Sequence, residues 1–242
     1  MEQEPAVALK KVSFTAQNTV IVQDVSISCR EAAATALVGP SGGGKSTVLK
    51  LAAGLLVPSG GAVYFRGKNI ASMNRTQNLN FRREAAVVFQ DSALWANQNL
   101  NQILDLPLRL HFPRMSGRQR AERIIEAAAE VGYKRNLAVR PASLSMGEQK
   151  LIAFARAMIC RPNLLFLDEW TESLDDDAAQ RLIALVRKFK ACGNTIIFVS
   201  HDIRLITSLA DYVIMIQDGQ VSAELAGNEI SEDAVVEQLG VD

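Results

Sequence analysis

The chain has 242 residues, of which 26 are Lys or Arg and 26 are Asp or Glu, and 48% are hydrophobic. That length supports one large domain, or one domain with an inserted lobe, around a sizeable core, and it argues against a tandem of two catalytic domains. The charge balance leaves no overall basic field, so no nucleic-acid partner is expected.

In chain order, the first 35 residues read as antiparallel strands, with Val20–Ser28 the clearest, followed by a short buried strand at Thr35–Val38. Lys45–Leu55 has helical spacing, the Gly61–Gly67 region returns to antiparallel strand, and Ala85–Phe89 is another strand. From Gln90 to about Pro141 the strand signal disappears, and two or three helices are expected, broken by Pro107 and Pro113. Further helices are predicted at Gly117–Val131 with Ser116 as N-cap, Gly147–Cys160, Asp176–Lys190 with Asp175 as N-cap, Asp202–Ala210, and near Ser231–Leu239. Strands fall between them at Leu164–Leu167, Thr195–Ser200 and Tyr212–Ile216, and Asp218-Gly219 signals a hairpin. Alternating strands and helices imply a mainly parallel sheet covered by helices, with an antiparallel subdomain at its edge.

Cys29, Cys160 and Cys192 are widely spaced, with no CxxC or Cys/His cluster, which is the pattern of reduced thiols. Glu2 and Glu4 occupy the segment where a secretory signal would need positive charge, so export is not expected. The longest apolar runs fall far short of the roughly 20 residues that span a bilayer, so any membrane role has to pass through a partner.

Gly39-Pro40-Ser41-Gly42-Gly43-Gly44-Lys45-Ser46-Thr47 fits G-x-x-x-x-G-K-[ST] between a strand and a helix. Glycines let the backbone curl so that successive N–H groups point at phosphate oxygens. The helix N-terminus adds its positive end, Lys45 reaches the β- and γ-phosphates, and Ser46 offers a hydroxyl to Mg2+. By itself this loop also suits a small-molecule kinase or a GTPase. Leu164 to Leu167 is an apolar strand that ends in Asp168 and Glu169, placing two carboxylates at the carboxyl edge of the sheet. Asp168 would position Mg2+ and Glu169 would act as general base on a water.

Leu144-Ser145-Met146-Gly147-Glu148-Gln149 lies between these two elements and is followed by Ala155-Arg156-Ala157. The order of phosphate loop, Gln90 after a strand, L-S-x-G-E-Q, Asp168-Glu169, Leu174-Asp175 and His201 after a strand resembles ATP-binding-cassette (ABC) ATPase subunits from about Leu9 to Gly219. The resemblance implies an α/β P-loop NTPase, with a RecA-like core on a mainly parallel sheet, an antiparallel β-subdomain and an inserted α-helical subdomain. It implies one domain over 1–242, with the nucleotide-binding core in 1–89 and 160–242 and the helical and signature lobe in 90–159. It also implies ATP and Mg2+, hydrolysis by Glu169, His201 and Gln90, and metal contacts from Ser46, Gln90 and Asp168. Ser145, Met146, Gly147, Glu148 and Gln149 would reach the ATP of a second copy, with Asp175 facing that copy. The same six residues from Leu144 to Gln149 also read as an ordinary helix start, Ser145 and Glu148 forming a capping box, and both readings can hold at once.

Two departures from the family pattern stand out: Trp170 takes the place of the usual proline, with Glu172 where a small residue is frequent, and the adenine-stacking aromatic is missing near Ala16, the nearest being Phe14. The family's helical lobe implies integral-membrane permease subunits contacted by 90–111 and a peripheral position on the cytoplasmic face of the membrane. Phe89-Gln90-Asp91-Ser92-Ala93-Leu94-Trp95 and Pro107-Leu108-Arg109-Leu110-His111 are similar to runs in ATPases of mammalian-cell-entry (MCE) type lipid transport systems. That similarity implies phospholipid cargo and an MCE-domain lipid-binding partner. A nutrient or lipoprotein system, or a soluble non-transport ABC protein, are the alternatives. Leu94 and Trp95 read equally as a docking surface or as core of the lobe.

Overall fold

The computed structural model describes residues 4–239. The chain runs through β1 (Val7–Ala16), β2 (Thr19–Cys29), β3 (Ala34–Val38), α1 (Lys45–Ala52), β4 (Gly60–Phe65), β5 (Lys68–Asn69), α2 (Arg75–Glu84) and β6 (Ala85–Val88). It then forms α3 (Leu100–His111), α4 (Gly117–Glu130) and α5 (Met146–Met158) in succession, with no strand between them. The second half is β7 (Leu164–Asp168), α6 (Asp176–Ala191), β8 (Thr195–Val199), α7 (Ile203–Leu209), β9 (Tyr212–Gln217), β10 (Gln220–Ala226) and α8 (Glu232–Leu239).

Every residue of β3, β7 and β8 is buried. A strand of continuous apolar sequence is stable only where both of its faces are covered, which makes these the centre of a parallel sheet. The six-stranded sheet has the order β10-β9-β3-β8-β7-β6, and all of its pairs are parallel except β10 with β9. Alternation along the strands divides the core. Ala36, Leu165, Leu167, Ile196 and Phe198 point to the face covered by α3 to α7, while Leu37, Leu164, Phe166, Ile197 and Val199 point to the face covered by α1 and the second sheet. That second sheet is antiparallel, in the order β2-β1-β4-β5. It is joined to the first where Gln23 N–H donates to Gly219 O at 2.8 Å, and where Arg66 reaches Glu31 at 2.5 Å and Glu84 at 2.6 Å.

Two expectations fail. Pro107 does not break a helix but lies inside α3. Its ring costs the Ile103 carbonyl a donor, about 3 kcal/mol in an ordinary helix interior. Burial of Leu100, Ile103, Leu104 and Leu108 and a capping box between Asn99 and Gln102 offset that loss, whereas Pro113 does follow the helix end. The helix at Arg75–Glu84 has no counterpart among the predicted elements. Only Phe81 of α2 is buried, so it has almost no apolar periodicity, and it is fixed instead by a capping box between Asn74 and Gln77.

Phe198 is fully buried in β8 and meets the edge of Trp170 with ring centroids 5.6 Å apart at 90°. Phe198→Ala is expected to lower stability by roughly 3–5 kcal/mol, read as a shift of the urea unfolding midpoint at unchanged slope.

Candidate active site

The carboxyl ends of β3, β6, β7 and β8 all lie at one edge of the sheet, and each releases one of the functional segments. After β3 the chain turns through Gly39–Gly44 into α1. A Cβ on Gly39, whose φ is 138°, would fall 2.1 Å from the Ile216 carbonyl oxygen, so only glycine lets the loop pass over β9. Gly44 caps α1 with no side chain of its own. The first-turn N–H groups of the helix, which lack partners within it, are thereby left open. Lys45 Nζ lies over the loop, donating to Gly39 O at 2.9 Å and Pro40 O at 2.8 Å. Burial lowers its pKa, and the carboxylates of Glu169 and Asp168 oppose that shift.

Ser46 Oγ donates to Asp168 Oδ1 at 2.8 Å, which joins the start of α1 to the end of β7. Glu169 follows in a left-handed conformation, φ 46°, and its side chain gathers the remaining groups. Oε2 accepts from Gln90 Nε2 at 3.0 Å, and Oε1 lies 3.0 Å from His201 Nε2. Gln90 Nε2 also donates to Glu172 Oε2 at 3.0 Å. Burial, followed by a hydrogen bond with Glu172 and the negative charges of Glu172 and Asp168, pushes the Glu169 carboxyl up to about 7. Glu172, hydrogen-bonded with Glu169 and Gln90, is held below the usual carboxylate range, and burial with the nearby Lys45 lowers His201.

Ser41, Gly42, Gly44, Lys45, Ser46, Thr47, Gln90, Glu169, Glu172 and His201 share one cavity of about 470 Å³. Ser145, Met146, Gly147, Glu148, Gln149 and Asp175 do not line it. Ser145 caps α5, its Oγ accepting from Glu148 N–H at 3.2 Å while Glu148 Oε2 accepts from Ser145 N–H at 3.0 Å. Arg135 holds the Glu148 carboxylate in turn, at 2.8 Å and 3.0 Å. Asp175 caps α6, accepting from Ala178 N–H at 2.8 Å. Met146, in the first turn of α5, is 70% exposed. A larger cavity of about 830 Å³ lies among α3, α4 and the end of α5; it is lined by Leu108 and His111 of the 107–111 run but by no residue of the phosphate loop, the acidic turn or the Ser145 segment.

The family model described as ABC transporter matches residues 22–172 of the chain. The chain belongs to the ABC transporter family. A nickel import ATP-binding protein, NikE of Brucella suis biovar 1 (strain 1330), is 36% identical over 218 residues, covering 88% of this chain and 81% of NikE. YejF of Escherichia coli (strain K12), an uncharacterized ABC transporter ATP-binding protein, is 36% identical over 84% of this chain, which spans only 39% of YejF's length. A solved dimeric ATP-binding cassette, in a post-hydrolysis state with ADP and phosphate, matches with a TM-score of 0.84 at 28% identity, over 91% of this chain and 98% of the other. The chain is thus an ATP-binding subunit of the ABC ATPase type, with the fold of its solved relatives.

Within this cassette the departures acquire structural meaning. Trp170 is fully buried against Phe198, so the residue after Glu169 is anchored in the core by an aromatic ring, and its Nε1 meets no acceptor. Phe14 packs partly buried against the core, and the register shifts beside it place the extra residues in β2, so Phe14 and Ala16 stay on one side of β1 with exposed Thr15 between them. Two site residues went unrecognised in the sequence. Glu172 was visible only as an oddity, and Lys150, which donates to Gln90 O at 2.8 Å and Glu169 O at 3.1 Å, had no assigned role. A lysine on the otherwise buried face of α5, beside Ile152 and Ala153, was the available signal.

A carboxyl raised to about 7 by burial and by Glu172 and Asp168 is protonated in the free protein at mildly acidic pH, so activity that needs its ionised form falls as pH drops through 7. The acid limb of the kcat/KM profile is expected near pH 7. In Glu172→Gln the removal of one negative neighbour should move that limb to lower pH, and a limb that stays put would detach Glu172 from the ionisation of Glu169.

Proposed function

We propose that two copies of this cassette close around two ATP molecules and drive integral-membrane permease subunits from the cytoplasmic face of the membrane. The observation that carries the reading is the meeting of Lys45, Ser46, Gln90, Glu169 and His201 at one cavity, while the α5 start at Ser145 lies outside it. Ser145 Oγ already accepts from a backbone N–H, which leaves its O–H free to donate. A free donor at a helix N-terminus suits a phosphate delivered by another copy.

In this reading the phosphate loop and Lys45 hold the β- and γ-phosphates. Glu169 takes a proton from water as its oxygen attacks the γ-phosphorus, and the bond to the bridging oxygen breaks to give ADP and phosphate. His201, 3.0 Å from Glu169, orients the base or the water, and Gln90, at the start of the helical lobe over 90–159, links that lobe to this centre. Magnesium, when bound, would neutralise phosphate charge. Among the described residues there is no group of three or more His, Cys, Asp or Glu side chains fit for a metal. The oxygen donors of Ser46, Asp168 and Gln90 suit an ion that keeps most of its shell as water and phosphate.

No described helix is long and apolar enough to cross a membrane. Leu94 packs against the core, whereas Trp95, Leu106 and Leu110 are exposed, which supports a permease-docking role for 90–111. The resemblance of 89–95 and 107–111 to lipid systems supports lipid cargo with an MCE-domain partner. The 36% identity to nickel import proteins supports a second reading, uptake of a small solute.

Lys45→Ala is expected to abolish productive nucleotide binding, and Glu169→Gln to retain ATP and accumulate a dimer on size-exclusion chromatography. Normal turnover in Glu169→Gln would sink the general-base assignment. Purification from the native membrane in mild detergent separates the cargo readings: a permease with an MCE-domain protein indicates lipid, a permease with a solute-binding protein indicates import, and ribosomes or DNA would end the transport reading.

A further inference from the structure

Gln90 is held at both of its ends. Its main-chain oxygen accepts from Lys150 Nζ at 2.8 Å, and the same ammonium donates to Glu169 O at 3.1 Å, so one buried cation on α5 joins the loop after β6 to the turn after β7. Its side-chain Nε2 meets two carboxylates, Glu169 Oε2 and Glu172 Oε2, each at 3.0 Å. An ionised carboxylate oxygen only accepts, so the amide must turn its NH2 group toward this pair and its Oε1 away from it. Glu169 has the attacking water to serve as well. Glu172 contacts Glu169 as well, but it has no water to activate, and a small side chain at 172 would not reach the amide.

We propose that Glu172 is a positioning residue for ATP hydrolysis, fixing the orientation of the Gln90 amide so that its oxygen is the end offered to the phosphate and metal side of the site. Lys150 secures the main-chain end of the same residue. The inference rests on the roles given above to Gln90 and Glu169. Glu172 is exposed, so replacing it leaves the core intact.

The test measures steady-state ATPase of the full chain with MgATP at pH 8, for wild type, Glu172→Ala, Glu172→Gln, Gln90→Ala, the Gln90→Ala/Glu172→Ala double variant and Glu169→Gln. Glu172→Ala is expected to lower kcat about tenfold, the factor that one charge-assisted hydrogen bond supplies, with KM for MgATP within about twofold of wild type. Glu172→Gln keeps an acceptor for Nε2 and should recover most of that loss. In the Gln90→Ala background, Glu172→Ala should cost nothing further, because both changes act on the same group. Near-normal kcat in Glu172→Ala beside an inactive Glu169→Gln would overturn the positioning role and leave the site assignment standing. Additive losses in the double variant would also overturn it, by showing that Glu172 acts elsewhere. An inactive wild type, or an active Glu169→Gln, would remove the site assignment and this inference with it.

Discussion

The register of the central sheet sets where everything else in the site can be. Val199 at the end of β8 pairs with Leu37 of β3 on one side and Asp168 of β7 on the other, and Val88 of β6 pairs with Leu167. The four strands therefore finish level, although they come from distant parts of the chain. A one-residue slip in any of them would exchange its inward and outward faces and move its terminal loop along the edge. Because the ends are level, Ser46 at the start of α1 meets Asp168 across the intervening β8, and the 2.8 Å bond between them joins the phosphate loop to the acidic turn.

That edge concentrates opposing charge. Glu172 and Asp168 both push the carboxyl of Glu169 upward, and the buried Lys45 and Lys150 set positive charge against the three acids. Burial is the largest cause of the upward shift of Glu169. A carboxyl poised near neutrality is matched to removing a proton from water, whereas an ordinary surface glutamate would be a much weaker base. The same crowding explains why the turn has to be held by something other than its own charges. Trp170 supplies that hold through the core, and Lys150 through the Glu169 carbonyl.

What was legible in the sequence was local. The phosphate loop, the apolar strands ending at Val38 and Asp168, and the capped helices after Ser116, Ser145 and Asp175 each carry their signal within a dozen residues. Pro107 misled because a local rule met a non-local answer, the burial of Leu104 and Leu108. α2 went unseen because a helix needs an apolar stripe to be noticed, and Phe81 alone makes none. Lys150 and Glu172 were hidden for a different reason. Sixty residues separate Lys150 from Gln90, and eighty-two separate Glu172 from it, so no spacing rule relates them before the sheet brings them together.

The helix that begins at Ser145 is fastened to the loop that begins at Gln90 at two levels. Lys150 takes the Gln90 carbonyl, and further along the helix Arg156 donates to Ser92 O at 3.1 Å and Ala93 O at 2.5 Å while lying over the Trp95 ring. A guanidinium that satisfies two carbonyls and an aromatic face leaves that loop little freedom to shift apart from α5. In the dimer proposed above, Ser145 would approach the phosphate of the other copy, while Trp95 lies exposed where a permease would press. Two cations of one helix, a turn and more apart, thus tie the loop after β6 to the element that begins at Ser145.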